Sequence, residues 1–408
     1  MKITKSFNIP QWLIWSAWKR IKANGGAHGV DAVSIEQFEE DLSNNLYKIW
    51  NRMSSGTYFP PPVRRVEIPK SDGRKRPLGI PTVGDRVAQM AVKMTCEPMM
   101  ESIFHSDSYG YRPGKSAIEA VGTARQRCWR YAWVIDLDIK GFFDNIDHKL
   151  LMKAVEKHTK SPYSRLYIKR WLEAPVILED GTSEIHMKGT PQGGVISPLL
   201  ANLFLHYALD IWMTRHYPDI PFERYADDVL IHCKTKWRAE LILSSLRNRL
   251  RECGLELHPE KTKIVYCKQS GRRGDYECIT FDFLGFTFRP REAMTRNGRI
   301  FTGFTPAISL KSLKRIGEVI RSWKLQRWSG QSIESIAETL NPVISGWLSY
   351  YRHFGRGALH RVGNMLDFAL IRWARKKFKR MRQSCRKSKV FLRRLRRQQP
   401  QLFTHWCF

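Results

Sequence analysis

Three things are scarce in this sequence. Acidic residues come first: 38 Asp and Glu face 69 Lys and Arg, a formal charge of +31, and none occurs beyond Asp367. So one-sided a surface repels itself and calls for a polyanion, either nucleic acid or an acidic membrane surface. Cysteine pairs come second. The eight cysteines never stand as Cys-x-x-Cys, so spacing supports neither a zinc site nor a disulfide framework, and free thiols fit a reducing cytoplasm. Long apolar runs come third. The opening Met1-Lys2-Ile3-Thr4-Lys5-Ser6 has no apolar core of a signal peptide. Residues 189–209 carry no charge, but they open on turn chemistry, Gly189-Thr190-Pro191-Gln192-Gly193-Gly194. About 15 helical residues remain, short of a membrane span. There is no internal repeat and no Gly/Ser linker. These absences predict a basic, cytoplasmic, water-soluble protein with no membrane partner.

What the chain does have is interior. Its 408 residues are 42% hydrophobic, with 14 Trp, 14 Tyr and 20 Phe. That suffices for two or three packed subdomains. The first hundred residues read as a helix with Trp12, Trp15 and Trp18 on one face and a second helix over 34–53. A Pro60-Pro61-Pro62 break follows, then a strand over 63–69, a turn at Ser71-Asp72-Gly73 and a strand through Leu78-Gly79-Ile80. Residues 85–100 set Val87, Met90, Ala91 and Met94 on one helical stripe. Residues 131–139 form an apolar run carrying two aspartates, a buried strand by length and composition. Helices are predicted over 148–158 and 198–213, short strands over 222–226 and 229–233, and strands or hairpins over 255–265 and 281–288. Strands interrupted by helices in irregular order predict an α+β sheet domain.

After Pro306 the periodicity turns helical: Leu310, Leu313, Ile316 and Ile320, then Ile333, Ile336, Leu340, Ile344 and Leu348, with Pro342 starting a fresh helix and another over 362–380. Residues 372–397 hold 14 Lys or Arg. A solvated helix end is the plain interpretation of such a run. So many unbalanced cations on an already basic chain favour a face for nucleic acid.

The carboxylates are the informative part. In Arg224-Tyr225-Ala226-Asp227-Asp228-Val229 two adjacent aspartates lie between apolar runs that would draw them to a buried hairpin tip. Crowded, poorly solvated carboxylates repel, and one takes up a proton unless a cation compensates. Oxygen-only ligands favour Mg²⁺ over Zn²⁺. An Asp-Asp turn alone is a weak signal, since Asp is common in turns. A third carboxylate strengthens it: Asp138 ends the buried strand, with Asp136 two residues before it on the same face, unless one of the two is merely a helix N-cap or a salt-bridge partner. Three carboxylates on two strands make a ligand set for two metals, which lowers the pKa of an attacking hydroxyl and clamps a leaving pyrophosphate.

Tyr225-Ala226-Asp227-Asp228, preceded by Asp138-Ile139-Lys140-Gly141-Phe142-Phe143-Asp144, resembles a reverse transcriptase palm. The likeness runs in order through Arg76-Pro77-Leu78-Gly79-Ile80-Pro81-Thr82 with Asp85-Arg86, Tyr109-Gly110-Tyr111-Arg112-Pro113-Gly114, Gly189 to Pro198, Leu257-His258-Pro259-Glu260-Lys261-Thr262 and Phe283-Leu284-Gly285-Phe286. Asn341-Pro342-Val343-Ile344-Ser345-Gly346-Trp347 resembles a maturase segment. Together these look like the reverse transcriptase and maturase encoded by bacterial group II introns.

That resemblance implies a right-hand α+β polymerase. An N-terminal extension and fingers would occupy 1–105, a palm 106–304, a helical thumb or maturase domain 305–380 and a basic C-terminal tail 381–408. It implies that Asp138, Asp227 and Asp228 hold two Mg²⁺ ions, with Asp136 in support. Phe143 matches an aromatic gate that collides with a 2′-hydroxyl, or else it is a core phenylalanine. Gln192, beside Gly193-Gly194, would meet the incoming nucleotide or template. Lys70 and Arg76 would grip the triphosphate. Arg112 is either a template contact or a loop cap. Arg375, Lys376, Lys377, Arg393 and Arg394 fall where the family binds nucleic acid. The implied partners are group II intron RNA, an RNA template with a DNA primer, target DNA and dNTPs. Without cysteine pairs near the C-terminus, no endonuclease domain is expected. Two other readings stay open: a reverse transcriptase of the retron or phage-defence kind, and a binding-only maturase whose polymerase has decayed.

Overall fold

The structure, a computed structural model, describes residues 5–69, 75–184, 187–294 and 297–407, the side chain of Arg76 excepted. Lys70 and the Ser71-Asp72-Gly73 turn therefore lie outside the described residues. The chain forms two compact units, one from residues 1–116 and 135–263, the other from 117–134 and 264–408. The boundaries of these packing units do not coincide with the expected divisions near 105, 304 and 380.

The strands of the first unit are β1 (Val63–Pro69), β2 (Lys75–Ile80), β3 (Trp133–Leu137), β4 (Val176–Ile177), β5 (Ser183–Glu184), β6 (Phe222–Tyr225) and β7 (Asp228–Cys233). One sheet runs β2-β1-β4-β5, with β1 antiparallel to β2 and parallel to β4. A second sets β6, β7 and β3 side by side, with β6 and β7 an antiparallel hairpin in which Tyr225 pairs with Asp228. The centre of the unit is the helix Val83–Glu101. Thr82 caps it by accepting from the Asp85 N–H, and Val87, Ala88, Ala91, Val92 and Cys96 are all buried along it.

Several expected elements changed shape for local reasons. The helix over 34–53 is two, Ile35–Glu40 and Leu42–Ser55. Ser34 and Gln37 make a capping box at the first, and Asp41, at φ −119° and ψ 44°, breaks the ladder between them. The helix over 198–213 becomes Ser197–Leu205, a single wide turn His206–Asp210 and Ile211–His216. A π turn inserts one residue per turn, and here both His206 and Asp210 are buried.

The second unit contains β8 (Lys263–Tyr266) and the antiparallel sheet of β9 (Phe281–Phe283), β10 (Phe286–Met294) and β11 (Ile300–Ile308), in the order β11-β10-β9. The β9–β10 turn is Leu284-Gly285, with both residues at positive φ. The helix Ala117–Arg130 packs against β11, where the Trp129 indole N–H donates to the Phe304 carbonyl at 3.0 Å.

The helices Leu310–Ser322, Ile333–Tyr351, His360–Lys377 and Cys385–Gln398 share one core, in which Ile336, Ile344, Val362, Trp373 and Phe403 are almost wholly buried. Pro342 does not begin a helix. It sits inside Ile333–Tyr351, where it removes one backbone donor. Burial of Leu340 and Ile344 on either side carries the helix across it, and the Asn341 amide ties this turn to Leu402 and Thr404. The segment expected as a basic tail is structured: Cys385–Gln398 is a helix, and Leu392, Phe403 and Trp406 enter the core. Among the described residues no helix is long and apolar enough to cross a membrane.

Candidate active site

The Tyr225-Ala226-Asp227-Asp228 turn is built from beneath. Ala226 holds φ +56°, a left-handed backbone that favours glycine and strains an alanine by about 1–2 kcal/mol. Arg224 secures it. Its guanidinium is fully buried and donates to Asp210 through Nε (2.8 Å) and Nη2 (2.6 Å), and through Nη1 to Asn202 Oδ1 (2.8 Å) and the Ala226 carbonyl (3.2 Å). The Asn202 amide in turn donates to the Gly110 carbonyl at 2.7 Å. A Cβ on Gly110 would lie 2.4 Å from the Ala226 nitrogen, so the close approach of this segment to the turn requires glycine.

Asp138 follows directly after β3, and the segment 257–262 wraps it. The His258 N–H donates to the Asp138 carbonyl at 2.8 Å, the Thr262 hydroxyl lies 3.3 Å from both its N–H and its carbonyl oxygen, and Lys261 Nζ stands 3.2 Å from Oδ2. The three aspartates share one electrostatic field. Asp228 has surface facing solvent, yet its carboxyl is pushed up to about 7, first by desolvation and then by the charges of Asp227 and Asp138, against the pull of Lys261. They are not drawn into a closed ligand shell: among the described residues no group of three or more His, Cys, Asp or Glu stands ready to hold a metal ion. The donor set is nonetheless all oxygen, and its mutual repulsion is what a divalent cation relieves. The chemistry of the donors suits a hard divalent cation.

A second cluster lies around Gln192. Its amide approaches Asp144 Oδ1 at 3.4 Å, and its backbone carbonyl accepts from the Gly79 N–H of β2 at 2.7 Å. Arg65, Asp144, Lys188, Thr190 and Gln192 line a cavity of about 210 Å³. Phe143 lies in the short helix Phe142–Asn145 with 7% exposure, edge-on to Phe142, and its carbonyl accepts from the Thr190 N–H. Arg76 pairs with Ile68 in the sheet.

Arg112 is a loop staple. Its guanidinium meets Glu101 at 2.6 Å, donates to the carbonyls of His105 and Ser108, and leaves the side chain 6% exposed. Among the predicted basic residues, Arg375 donates to the Arg382 carbonyl and Lys377 to that of Gln331, while Lys376, Arg393 and Arg394 are exposed. Arg352, Arg356, His360 and Arg396, none of them expected as a site residue, line a cavity of about 500 Å³ with Asp367. Arg352, Arg356 and His360 recur every four residues, but Arg396 joins them from a helix distant in sequence. Sequence reasoning also missed Lys261 as the partner of Asp138 and Arg224 as the support of the turn; a lone Arg before a hairpin tip was the available signal.

Similarity to known proteins gives the class of protein to which this fold and carboxylate turn belong. Residues 68–288 match the reverse transcriptase (RNA-dependent DNA polymerase) family, and the chain belongs to it. Residues 313–391 match the maturase-specific domain of group II introns, which makes this a group II intron reverse transcriptase and maturase. Among curated relatives, Protein YkfC of Escherichia coli (strain K12) is 35% identical over 65% of this chain and 79% of its own length. Group II intron-encoded protein LtrA of Lactococcus lactis subsp. cremoris is 29% identical over 71% of this chain and 57% of its own. A putative COX1/OXI3 intron 1 protein of Saccharomyces cerevisiae is 25% identical over 82% of this chain and 42% of its own.

Proposed function

We propose that the protein is a right-hand polymerase working in the cytoplasm, in which Asp138, Asp227 and Asp228 bind two Mg²⁺ ions. The observation that carries this is geometric: the β6–β7 hairpin sets Asp227 and Asp228 at its turn, and β7 lies beside β3, directly after which Asp138 stands; desolvation and the charges of Asp227 and Asp138 raise the Asp228 carboxyl in keeping with it. The bound ions would acidify the primer 3′-hydroxyl and neutralise the departing pyrophosphate. The chain's own part is positioning. Arg224 holds the turn that presents Asp227 and Asp228, and Lys261 holds the Asp138 carboxylate in place. Gln192, backed by Asp144, meets the incoming dNTP, and Phe143, beside Asp144, limits room at the sugar 2′ position. We assign triphosphate contacts to Lys70 and Arg76 by family resemblance.

The substrates in this reading are a dNTP and a DNA primer on an RNA template. The basic face of the second unit binds intron RNA, and during mobility the target DNA, through phosphate contacts. Lys376, Arg393, Arg394 and Arg396 are among its exposed members. Splicing help is then binding without catalysis: the protein neutralises phosphates and the RNA performs the transesterification.

Primer extension on an RNA template with Mg²⁺ and dNTPs tests the catalytic half. Asp227→Ala should lower cDNA synthesis by roughly a thousandfold or more, the scale of removing a metal-held carboxylate from a reaction that depends on charge stabilisation, while RNA binding stays intact. Full synthesis by the variant sinks the assignment. A folded, RNA-binding wild type that makes no cDNA would favour the binding-only maturase.

A further inference from the structure

A buried polar chain ends at the Gln192 loop. Asp85 and Gln89 lie one turn apart on the helix Val83–Glu101, at 1% and 4% exposure. Asp85 Oδ1 accepts from the Tyr58 hydroxyl (2.7 Å) and the Trp171 indole N–H (2.8 Å), and Oδ2 accepts from the Gln89 amide (2.9 Å). Gln89 Oε1 accepts from the backbone N–H groups of Val195 (2.8 Å) and Ile196 (3.3 Å), immediately after Pro191-Gln192-Gly193-Gly194.

The polarity of this chain is forced. The backbone N–H groups of Val195 and Ile196 only donate, so the Gln89 oxygen must face the loop and its NH₂ must face Asp85, a carboxyl ringed by the donors of Tyr58, Trp171 and Gln89 although burial raises its pKa. The reverse orientation would aim an NH₂ at two N–H groups and leave buried donors unpaired. The loop has little slack elsewhere. Gly79 donates to the Gln192 carbonyl at 2.7 Å, and a Cβ on Gly193, at φ +118°, would lie 2.4 Å from the Gly79 carbonyl. A Cβ on Gly194 would meet Ser197 Oγ at 2.5 Å and Gln89 Oε1 at 3.3 Å. Gln192 therefore sits between two anchors, Gly79 on one side and Gln89 on the other.

We propose that Gln89 is a positioning residue for nucleotide binding, that Asp85 sets the direction of its amide, and that the pair acts by holding the Pro191–Gly194 loop so that Gln192 meets the incoming dNTP. This role rests on Gln192 being a dNTP-binding residue. Neither Asp85 nor Gln89 touches the substrate.

Single-nucleotide addition on an RNA template measures KM for the dNTP and kcat separately. The variants are Gln89→Met, Asp85→Asn, Gln192→Ala and the double Gln89→Met/Gln192→Ala, each checked for its melting temperature and primer–template affinity. Gln89→Met should raise KM about tenfold, a hydrogen-bond-sized loss, with kcat and template affinity nearly unchanged. Asp85→Asn keeps an acceptor for Tyr58 and Trp171 but turns the Gln89 amide over, so KM should rise likewise; it carries the comparison if Gln89→Met fails to fold. In the Gln192→Ala background Gln89→Met should add no further rise. The proposal is overturned if Gln192→Ala raises KM while Gln89→Met and Asp85→Asn do not, or if the two effects multiply in the double variant. A Gln192→Ala enzyme with unchanged KM overturns the role of Gln192 itself.

Discussion

Arg224 and Asp210 in the first unit are both wholly buried and paired through two hydrogen bonds, whereas in the second unit Lys376, Lys389, Arg393, Arg394 and Arg397 stand exposed over a core of Ile336, Ile344, Trp373 and Phe403. The two units use charge for different ends. Buried and geometrically fixed, it sets the position of a turn or loop and is insensitive to salt. Exposed and unbalanced, it supplies long-range attraction to a polyanion and weakens as salt rises. In the proposed function catalysis draws on the first kind and capture of RNA on the second.

The contrast can be broken most forcefully at the aspartates, where Asp227→Ala should abolish synthesis and leave RNA capture alone. Next comes the support of the turn. Arg224→Met leaves Asp210 charged and unpaired in the interior, a loss of about 3–5 kcal/mol in unfolding free energy, readable by urea titration. Arg224→Met with Asp210→Leu should recover much of that stability and still synthesise poorly, because Ala226 loses its hydrogen bond from Arg224. If the double variant polymerises normally, the pair serves folding alone.

Proton linkage gives a smaller effect in the same region. His206, buried beside Phe104 and Tyr207, has its pKa lowered to about 4, first by desolvation, with Asp210 pulling upward and Arg224 pushing down. The folded state thus binds a proton less readily than the unfolded chain, whose imidazole titrates near 6.5. Above that pH the group costs nothing. As the pH falls from about 6.5 to 4 stability is lost, by about 2 kcal/mol at pH 5. His206→Gln should flatten that part of the stability profile. An unchanged acid limb would mean other groups dominate.

The least effect per residue belongs to the exposed cations. Replacing Lys389, Arg393 and Arg394 with Gln should reduce the slope of log affinity against log salt for intron RNA by about one for each phosphate no longer neutralised. KM for dNTP should not change. A slope equal to that of wild type would move the RNA face elsewhere on the second unit.

Some of this follows from the chain in isolation. The strands 63–69 and 222–233, the helix after Thr82 and the amphipathic helices beyond Pro306 arise from period, caps and apolar runs that act over a few residues. The Asp227-Asp228 pair and Asp138 stand out in the sequence for a like reason: carboxylates set among apolar residues are costly. Other features depend on residues distant in sequence. Arg112 suits a template contact or a loop cap equally well by its local sequence, and that Glu101, His105 and Ser108 converge on its guanidinium is visible only in the folded chain. Pro342 reads locally as a helix start, and packing of Leu340 and Ile344 overrides that preference. The charge run at 372–397 is visible as composition, but that its helix also buries Leu392 against the maturase core is a matter of packing. Asp85 and Gln89 read as one helical turn of ordinary polar residues. Only burial, with Tyr58, Trp171 and Val195 converging from three other segments, makes them a directional link to the Gln192 loop, because the hydrogen bonds that set an amide's direction are made across space and carry no trace in local spacing.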